Sequence, residues 1–256
     1  MGAHVAPDDP LAEAEALEAE CVQVFLSDPQ GWKKPPDRED ARELRASAVP
    51  LYVHAPYLIN VASTNNRIRI PSRKMLAQHL EAAASVGAKA LVVHGGHVTA
   101  EDDPAEGFEN WRKTFERVEC PVPVLIENTA GGDNAVARRF DALARLWDVI
   151  TKPHAGLKIG FCFDTCHAHA AGEELADAVE RARAIVGRID LLHANDSRDP
   201  PGTGADRHAN LGKGTIGKQT LRRMIAAAEA PVVCETPGSA TELRADLAFV
   251  RDALTR

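Results

Sequence analysis

Short apolar runs alternate with helical patterns along the whole chain. Most of the runs are continuously apolar and rich in valine, isoleucine and leucine, which is typical of strands buried on both faces of a parallel sheet. The eight predicted strands are Gly2–Val5, Cys21–Leu26, Pro50–His54, Lys89–His94, Val122–Glu127, Ile159–Asp164, Ile189–His193 and Pro231–Glu235. Eight strands in 256 residues leave about 32 residues for each strand and the helix that follows it, the spacing of a (β/α)8 barrel.

Helical patterns fill the intervals between these strands. We predict helices over Pro10–Glu20, Pro71–Val86 and Gly172–Val186, and a capping box of Ser239 and Glu242 at the start of the last helix. No linker or shift in composition divides the chain, so we predict one α/β domain, a TIM barrel, spanning residues 1–256. A doubly wound open sheet is the alternative, but no glycine-rich dinucleotide-binding turn follows the first predicted strand to support it.

Composition narrows the class of protein. Hydrophobic residues make up 45% of the chain and charged residues 26%, the balance of a soluble globular protein. We expect no membrane span, because no apolar run approaches about 20 residues, and no signal peptide at the N-terminus. The five cysteines form an odd set without a CxxC pair, which favours a reducing cytoplasm over a disulfide scaffold. The net charge of −7 argues at first sight against a nucleic-acid partner.

Six consecutive predicted strands end on a residue that can bind a metal ion. These residues are His54, His94, Glu127, Asp164, His193 and Glu235. The carboxyl ends of parallel barrel strands lie on one rim, where active sites are built. A single histidine or glutamate there would be read as an ordinary hydrogen-bonding residue. Carboxylates gathered at a partly buried rim repel each other and lose solvation unless cations neutralise them, so the set predicts a metal cluster.

Two further segments extend this set. His167 comes just after the strand that ends at Asp164, and an unpatterned segment of about 20 residues (195–214) carries Asp206 and His208. Nine candidate ligands are too many for one ion and enough for two or three. Imidazole mixed with carboxylate suits zinc or manganese, and the absence of cysteine ligands argues against a structural zinc finger.

Other histidines and cysteines receive simpler interpretations. Buried thiols such as Cys162 and Cys166 are expected to pack rather than to bind metal. Four other histidines are assigned as follows: His4 and His97 behind the ligands, His79 and His154 on the surface.

Five segments together resemble the endonuclease IV family of apurinic/apyrimidinic endonucleases, enzymes of DNA repair. The segments are His54-Ala55-Pro56-Tyr57-Leu58-Ile59-Asn60, Glu127-Asn128-Thr129-Ala130-Gly131, Asp164-Thr165-Cys166-His167, His193-Ala194-Asn195-Asp196-Ser197 and Asp206-Arg207-His208-Ala209-Asn210-Leu211-Gly212. The resemblance covers nearly the whole chain. It implies a (β/α)8 barrel with a trinuclear zinc site, in which manganese could take some positions.

The resemblance also implies how the ligands divide among three ions. The three sets are His54, His94 and Glu127; Glu127, Asp164, His193 and Glu235; and His167, Asp206 and His208. Glu127 would bridge two ions, and we assign Glu127 and Glu235 to catalysis. The implied reaction is hydrolysis on the 5′ side of an abasic site, leaving a 3′-hydroxyl and a 5′-deoxyribose phosphate, together with removal of blocking groups from 3′ ends. Paired ions about 3.5–4 Å apart can stabilise both the attacking and the leaving oxygen.

The expected partner is double-stranded DNA with an abasic or 3′-blocked lesion, bound by a monomer. Family members insert side chains into the opened duplex, and Tyr57 and Leu58 match two of the inserting positions. A third position is arginine in the family, whereas alignment on Trp32 gives Gln30 here.

Local positive charge is also present, as phosphate contacts require. Three divalent ions would bring the net charge from −7 to −1. Basic residues cluster in two segments near the rim: Arg67, Arg69, Arg73 and Lys74 in one, and Arg198, Arg207 and Lys213 in the other. We include Arg207 among the predicted DNA contacts.

Two other functions compete with this interpretation. A sugar isomerase or epimerase on a related barrel would use Glu127, Asp164, His193 and Glu235 around one or two metals. It leaves the other five candidate ligands without a role. A non-catalytic DNA-binding scaffold would be favoured by the loss of a ligand, and all nine positions are retained.

Overall fold

The computed structural model describes residues 1–154 and 156–255, which form a closed barrel of eight parallel strands. The barrel strands are β1 (Gly2–His4), β2 (Cys21–Phe25), β3 (Leu51–His54), β4 (Ala90–His94), β5 (Val124–Glu127), β6 (Ile159–Asp164), β7 (Leu191–His193) and β10 (Val232–Cys234). Each strand pairs with its neighbour in chain order, and β10 closes the barrel against β1. The predicted barrel is therefore confirmed, and the open sheet is wrong.

Helices lie between the strands, and a small ribbon interrupts the segment before the last barrel strand. The helices are α1 (Pro10–Leu17), α2 (Ala41–Ala46), α3 (Asn66–Ser85), α4 (Pro104–Phe115), α5 (Phe140–Thr151), α6 (Thr165–Ala171), α7 (Ala178–Val186), α8 (Lys218–Ala228) and α9 (Ala240–Leu254). The ribbon pairs β8 (Asp196–Ser197) with β9 (His208–Ala209) in antiparallel fashion. No helix in the described part of the chain is long and apolar enough to cross a bilayer.

The structure corrects two predicted helix boundaries, the start of α3 and the end of α1. Helix α3 begins at Asn66, five residues before Pro71, because the Asn65 side chain caps it by accepting a 2.9 Å hydrogen bond from the amide of Arg67. Pro71 therefore lies inside the helix. Helix α1 ends at Leu17, before the predicted Glu20, because Glu18 adopts a left-handed conformation with φ of 51°.

The predicted helix from Gly172 to Val186 begins too early. Gly172 has φ of 79° and ends α6, and α7 starts only at Ala178. A residue in this left-handed region terminates a helix, which glycine does without a steric penalty. The predicted capping box is confirmed, because the amide of Ser239 donates a 2.7 Å hydrogen bond to Glu242.

The apolar core has two parts, one inside the barrel and one between the barrel and its helices. The interior part consists of Cys21, Tyr52, Ala90, Val92, Leu125, Cys162, Leu191 and Val233. Alternate strand residues such as Val22 and Val24 face outward and pack in the larger cluster with the helices. The interior part fills the barrel below the rim, so the polar rim residues rest on an apolar base. All five cysteines are free.

The prediction that His79 lies at the surface is wrong. It is fully buried, its Nδ1 donates to the carbonyl of Met75 at 2.9 Å, and its Nε2 lies 3.0 Å from the hydroxyl of Ser27. Burial lowers the pKa of His79. This histidine joins α3 to the loop that follows β2. His154, also predicted at the surface, is half-buried and contacts the carbonyl of Arg112 at 3.2 Å.

Candidate metal centre

Barrel strands deliver six of the nine predicted ligands to one rim. Strands β3 to β7 end on five of them, and the sixth follows β10 directly; the residues are His54, His94, Glu127, Asp164, His193 and Glu235. In the strand register His94 lies beside Glu127, and Asp164 lies beside His193. Glu127, Asp164 and His193 are completely buried, so their polar atoms depend on each other rather than on solvent.

The carboxylate of Glu127 lies at the centre of the rim. Its Oε2 is 3.0 Å from His54 Nε2 and 3.3 Å from His94 Nε2. Its Oε1 is 3.1 Å from His193 Nδ1 and 3.2 Å from His167 Nδ1. One oxygen therefore faces one pair of imidazoles and the other oxygen faces a second pair, the arrangement expected of a carboxylate between two cations.

Ligand atoms within 4.8 Å of one another form groups that can each hold an ion. Three of these groups together contain all nine predicted ligands: His54, His94 and Glu127; Glu127, Asp164, His193 and Glu235; His167, Asp206 and His208. Another group adds Cys166 to Asp164 and His208. Burial raises the pKa of the Cys166 thiol to about 12, so it remains a neutral thiol and a poor ligand.

Hydrogen bonds to backbone carbonyls fix the tautomers of three of these imidazoles. Nδ1 of His54 donates to the carbonyl of Ala55 at 2.7 Å, and Nδ1 of His167 donates to that of Asn128 at 2.8 Å. Nδ1 of His208 likewise donates to the carbonyl of Glu235 at 3.2 Å. A carbonyl can only accept, so Nδ1 carries a proton in each ring and Nε2 is the nitrogen that can exchange its proton for a cation.

The third group contains polar atoms that protein contacts leave unsatisfied. Nε2 of His167 and Nε2 of His208 both lie 3.1 Å from Asp206 Oδ1. Both nitrogens are buried, and neither has a hydrogen-bond partner in the described part of the chain. Two lone pairs and a carboxylate oxygen thus converge on one point, as they would around a divalent cation. The residues present fit a metal ion here.

The pKa values of the rim residues indicate that the rim favours positive charge. Burial alone raises the pKa of Glu127, but the charges of His193 and His94 outweigh it and hold that pKa well below its usual value. Burial also raises the pKa of Asp206, but His167 and His208 outweigh this effect and hold that pKa well below its usual value. Burial lowers the pKa of His193, yet Glu235 and Glu127 raise it to about 9. Protons on the histidines balance the carboxylates, and cations can replace those protons.

Two amides that the sequence interpretation missed as site residues hold the ligands in place. Gln23 is fully buried, donates a 2.6 Å hydrogen bond from Nε2 to Glu235, and accepts one of 2.9 Å at Oε1 from His193 Nε2. Asn195 donates to Asp164 at 2.6 Å, and its Oδ1 accepts the amide of Glu235 at 2.9 Å. A polar residue inside the apolar run of β2 is the signal that could have identified Gln23.

A buried carboxylate organises the segment that carries Asp206 and His208. Asp196 accepts backbone amides from Gly212 at 3.0 Å, from Gly214 at 2.9 Å and from Ile216 at 3.0 Å. The unpatterned segment is therefore ordered by hydrogen bonds rather than by a hydrophobic repeat.

The predicted supporting histidines lie in different places. His4 Nδ1 lies 3.1 Å from Gln23 Nε2 and 3.6 Å from Glu235, so it stands behind a ligand as expected. His97 is exposed, and its Nδ1 contacts the amide of Asn60 at 3.3 Å rather than any predicted ligand. The expectation for His97 is therefore wrong.

The predicted DNA contacts surround the rim. Tyr57 is half exposed, and its ring lies 5.7 Å from that of His54 and 5.6 Å from that of His94. Leu58 is half-buried and Gln30 is exposed. The loop of Gln30 is joined to Tyr57, whose amide donates a 3.0 Å hydrogen bond to the carbonyl of Pro29.

Arg207 lies between the candidate ligands Asp206 and His208 in the chain. Its guanidinium is paired with Asp199, with Nε 2.8 Å from Oδ2. It lines a cavity of about 380 Å³ together with Tyr57, Arg198, Asp206, His208, Glu235 and Pro237. The cavity therefore brings three candidate metal ligands and two arginines together.

Comparison with known proteins identifies the family. A family model described as a xylose isomerase-like TIM barrel matches residues 11–253. A curated protein of Mycobacterium tuberculosis (strain ATCC 25177 / H37Ra), "Probable endonuclease 4", is 58% identical over 252 residues, which cover 98% of each chain. The chain belongs to the endonuclease IV family. It is therefore a nuclease, and the resemblance found in its motifs is confirmed.

Solved structures agree with this assignment. Endonuclease IV from Thermus thermophilus superposes with a TM-score of 0.83 at 30% identity, covering 99% of this chain and 98% of that one. A D-tagatose 3-epimerase-like protein has a TM-score of 0.79 at 18% identity, covering 99% of this chain and 96% of that one. The second likeness shows the barrel fold alone, so it does not favour the sugar isomerase alternative.

Proposed function

We propose that residues 1–256 act as one metallo-endonuclease domain that hydrolyses DNA on the 5′ side of abasic sites and trims blocked 3′ ends. The products would be a 3′-hydroxyl and a 5′-deoxyribose phosphate. The observation that carries the proposal is the convergence of nine His, Asp and Glu side chains at the rim in three groups of ion-binding size. The enzyme would act in the cytoplasm as a monomer, on double-stranded DNA.

Three zinc ions would be held by the three groups described above, with manganese possible at some positions. Divalent cations there would supply Lewis acidity, which neutralises phosphodiester charge and makes water a nucleophile at neutral pH. Glu127 would set the distance between two of the ions, because its two oxygens face separate pairs of imidazoles.

Glu235 is the second carboxylate that we assign to catalysis. It lines the cavity of about 380 Å³, and Gln23 fixes its Oε1 through the 2.6 Å hydrogen bond. Its Oε2 lies 3.2 Å from His193 Nδ1, and Glu235 Oε2 would accept a hydrogen bond from the attacking water. Arg198 and Arg207 border the same cavity and would orient the phosphates of the strand.

Selectivity would come from the nucleotide that lacks a base. Such a nucleotide has little stacking to lose, so it leaves the duplex at lower cost than a normal one. The Tyr57 ring lies beside the rings of His54 and His94, and with Leu58 it would occupy the space opened in the duplex. Gln30, joined to Tyr57 through the Pro29 carbonyl, would approach the minor groove beside them.

The proposal is tested with a duplex that carries one tetrahydrofuran abasic analogue. The purified protein with zinc should cut the damaged strand at a single position, on the 5′ side of the analogue, and a polymerase should extend the resulting 3′-hydroxyl. An intact duplex of the same sequence is the control. Failure to cut with a full complement of metal would reject the proposed activity. Epimerisation of a ketose by the same preparation would instead support the sugar isomerase alternative.

A further inference from the structure

A separate cleft lies on the outer wall of the barrel beside the rim. It has a volume of about 820 Å³ and lies between the loop after β2 and helix α3. Its lining residues are Trp32, Lys34, Arg67, Ile70, Pro71, Lys74, Met75 and Gln78. Trp32 is 49% exposed and Ile70 is 60% exposed. Large apolar side chains with this much exposure around a concave surface indicate a binding site.

The charge of the cleft is opposite in sign to the net charge of the chain. Three of its lining residues are cationic, namely Lys34, Arg67 and Lys74, and none is acidic. The sequence contains no Asp or Glu between Glu43 and Glu81, although the whole chain carries a net charge of −7. A cationic patch on an anionic protein selects an anionic ligand.

The cleft is also connected to the proposed DNA face. Tyr57 donates its amide proton to the carbonyl of Pro29 at 3.0 Å, and Trp32 lies three residues further along the same loop. A neighbouring cavity of about 340 Å³ shares Lys34 and Gln78 with the cleft but includes Asp37 and Glu81. The cationic cleft therefore borders a surface that contains acidic residues, which limits the cleft to a few nucleotides.

We propose that this cleft binds unpaired single-stranded DNA next to the lesion, with a base stacked on Trp32 and phosphates on Arg67 and Lys74. Only an unpaired base can offer its aromatic face to a side chain, because the bases of a duplex are stacked on each other. The proposal rests on the proposed function only in taking DNA as the polymer. It predicts that an unpaired strand beside the lesion strengthens the binding of damaged DNA.

The experiment uses the full chain and a twelve-residue oligothymidylate labelled with fluorescein. Trp32 is the exposed tryptophan, whereas Trp111 and Trp147 are buried, so quenching of intrinsic fluorescence by unlabelled oligothymidylate reports contact at the cleft. Anisotropy of the labelled probe gives the affinity. The variants are Trp32→Leu and the double variant R67E/K74E. The control is K89E/R223E, which has the same charge change at two exposed positions outside the cleft.

We expect quenching in the wild type, and a loss of affinity of roughly ten- to hundredfold in Trp32→Leu. The R67E/K74E variant should weaken binding at least tenfold more than K89E/R223E does. Equal losses in the two double variants, or no quenching at saturation, would overturn the proposal. So would quenching by an acidic peptide but not by oligothymidylate, which would identify a protein partner instead.

The two proposals fail separately. If the wild-type protein binds oligothymidylate in this way but leaves the abasic duplex uncut, the proposed function is rejected and the proposed binding cleft is supported. If the wild-type protein cuts the duplex but binds oligothymidylate no better than R67E/K74E does, the proposed binding cleft is rejected and the proposed function is supported.

Discussion

Gln23 on β2 and Glu235, which follows β10, are joined by a hydrogen bond of 2.6 Å, donated by the amide nitrogen of Gln23. The other end of the same amide accepts from His193 Nε2 at 2.9 Å. Nε2 of His193 therefore carries a proton, which makes Nδ1, beside Glu127 and Glu235, the nitrogen that can exchange its proton for a cation. One buried side chain thus sets the tautomer of one candidate ligand and the orientation of another.

Replacing Gln23 with leucine should weaken metal binding while keeping the fold. The substitution roughly preserves volume and removes the hydrogen bonds to Glu235 and His193 together with the contact to His4, and loss of such contacts behind metal ligands typically costs about 10- to 100-fold in affinity. Chelator competition with zinc measures the effect. The matched control is Gln219→Leu, at an exposed position on α8. A folded Gln23→Leu protein with wild-type zinc affinity would show that Gln23 does not position the ligands.

The protein as purified should contain about three tightly held divalent ions per chain. Nine side chains exceed the capacity of two sites, and four of them are carboxylates whose charge requires cations. Elemental analysis of active protein gives the count, and dialysis against a chelator should abolish cleavage until zinc is restored. A count of one ion or fewer in an active sample would reject the trinuclear arrangement.

Glu127→Gln should abolish cleavage without unfolding the protein. The change keeps the volume of a side chain that is completely buried at the end of β5, but it removes the negative charge that faces four imidazoles. We expect fewer bound ions and a loss of turnover of several orders of magnitude. Circular dichroism checks the fold. Near wild-type turnover in the folded variant is the result that would contradict the bridging role.

Most of the candidate ligands could be predicted from the sequence because they lie at the ends of predicted strands. His94 and Glu127 were recognisable because each ends an apolar run, and the parallel register places such ends side by side. Gln23 interrupts the apolar run of β2, but that interruption does not indicate a partner, because His193 and Glu235 lie 170 and 212 residues away in the chain. Such long-range pairing becomes visible only when the barrel closes.

Local boundary errors have a different origin. Pro71 was interpreted as the first turn of a helix, whereas the capping side chain of Asn65 starts α3 earlier. His79 lies four residues after Met75 and three after Leu76 on the buried face of that helix, so helical spacing could have predicted its burial. The polar character of histidine misled the prediction, because the hydroxyl of Ser27 and the carbonyl of Met75 satisfy its ring.

Truncation of both Tyr57 and Leu58 to alanine should reduce binding to damaged DNA selectively. Loss of a stacking contact costs about 1–3 kcal/mol, so the double variant should bind an abasic duplex roughly ten- to hundredfold more weakly. Metal content should not change, because neither side chain belongs to an ion-binding group. Titrations on abasic and intact duplexes at the same salt concentration separate the possibilities. Equal losses on both would mean general affinity rather than recognition of damage.

Gln30→Arg should strengthen binding to the abasic duplex. Gln30 is exposed, and its turn is fixed because its amide donates to Asp28 at 2.9 Å and the neighbouring Pro29 carbonyl accepts from Tyr57 at 3.0 Å. A guanidinium at this position would therefore lie beside Tyr57, where it can reach the minor groove or a phosphate. One added phosphate contact makes the slope of log affinity against log salt steeper by about 0.9. Gln30→Met is the length-matched uncharged control. The expected result is a several-fold gain in affinity at low salt that disappears at high salt. If Arg and Met variants show the same slope, the guanidinium does not reach the DNA, and the carboxylate of Asp28 is the partner to remove next.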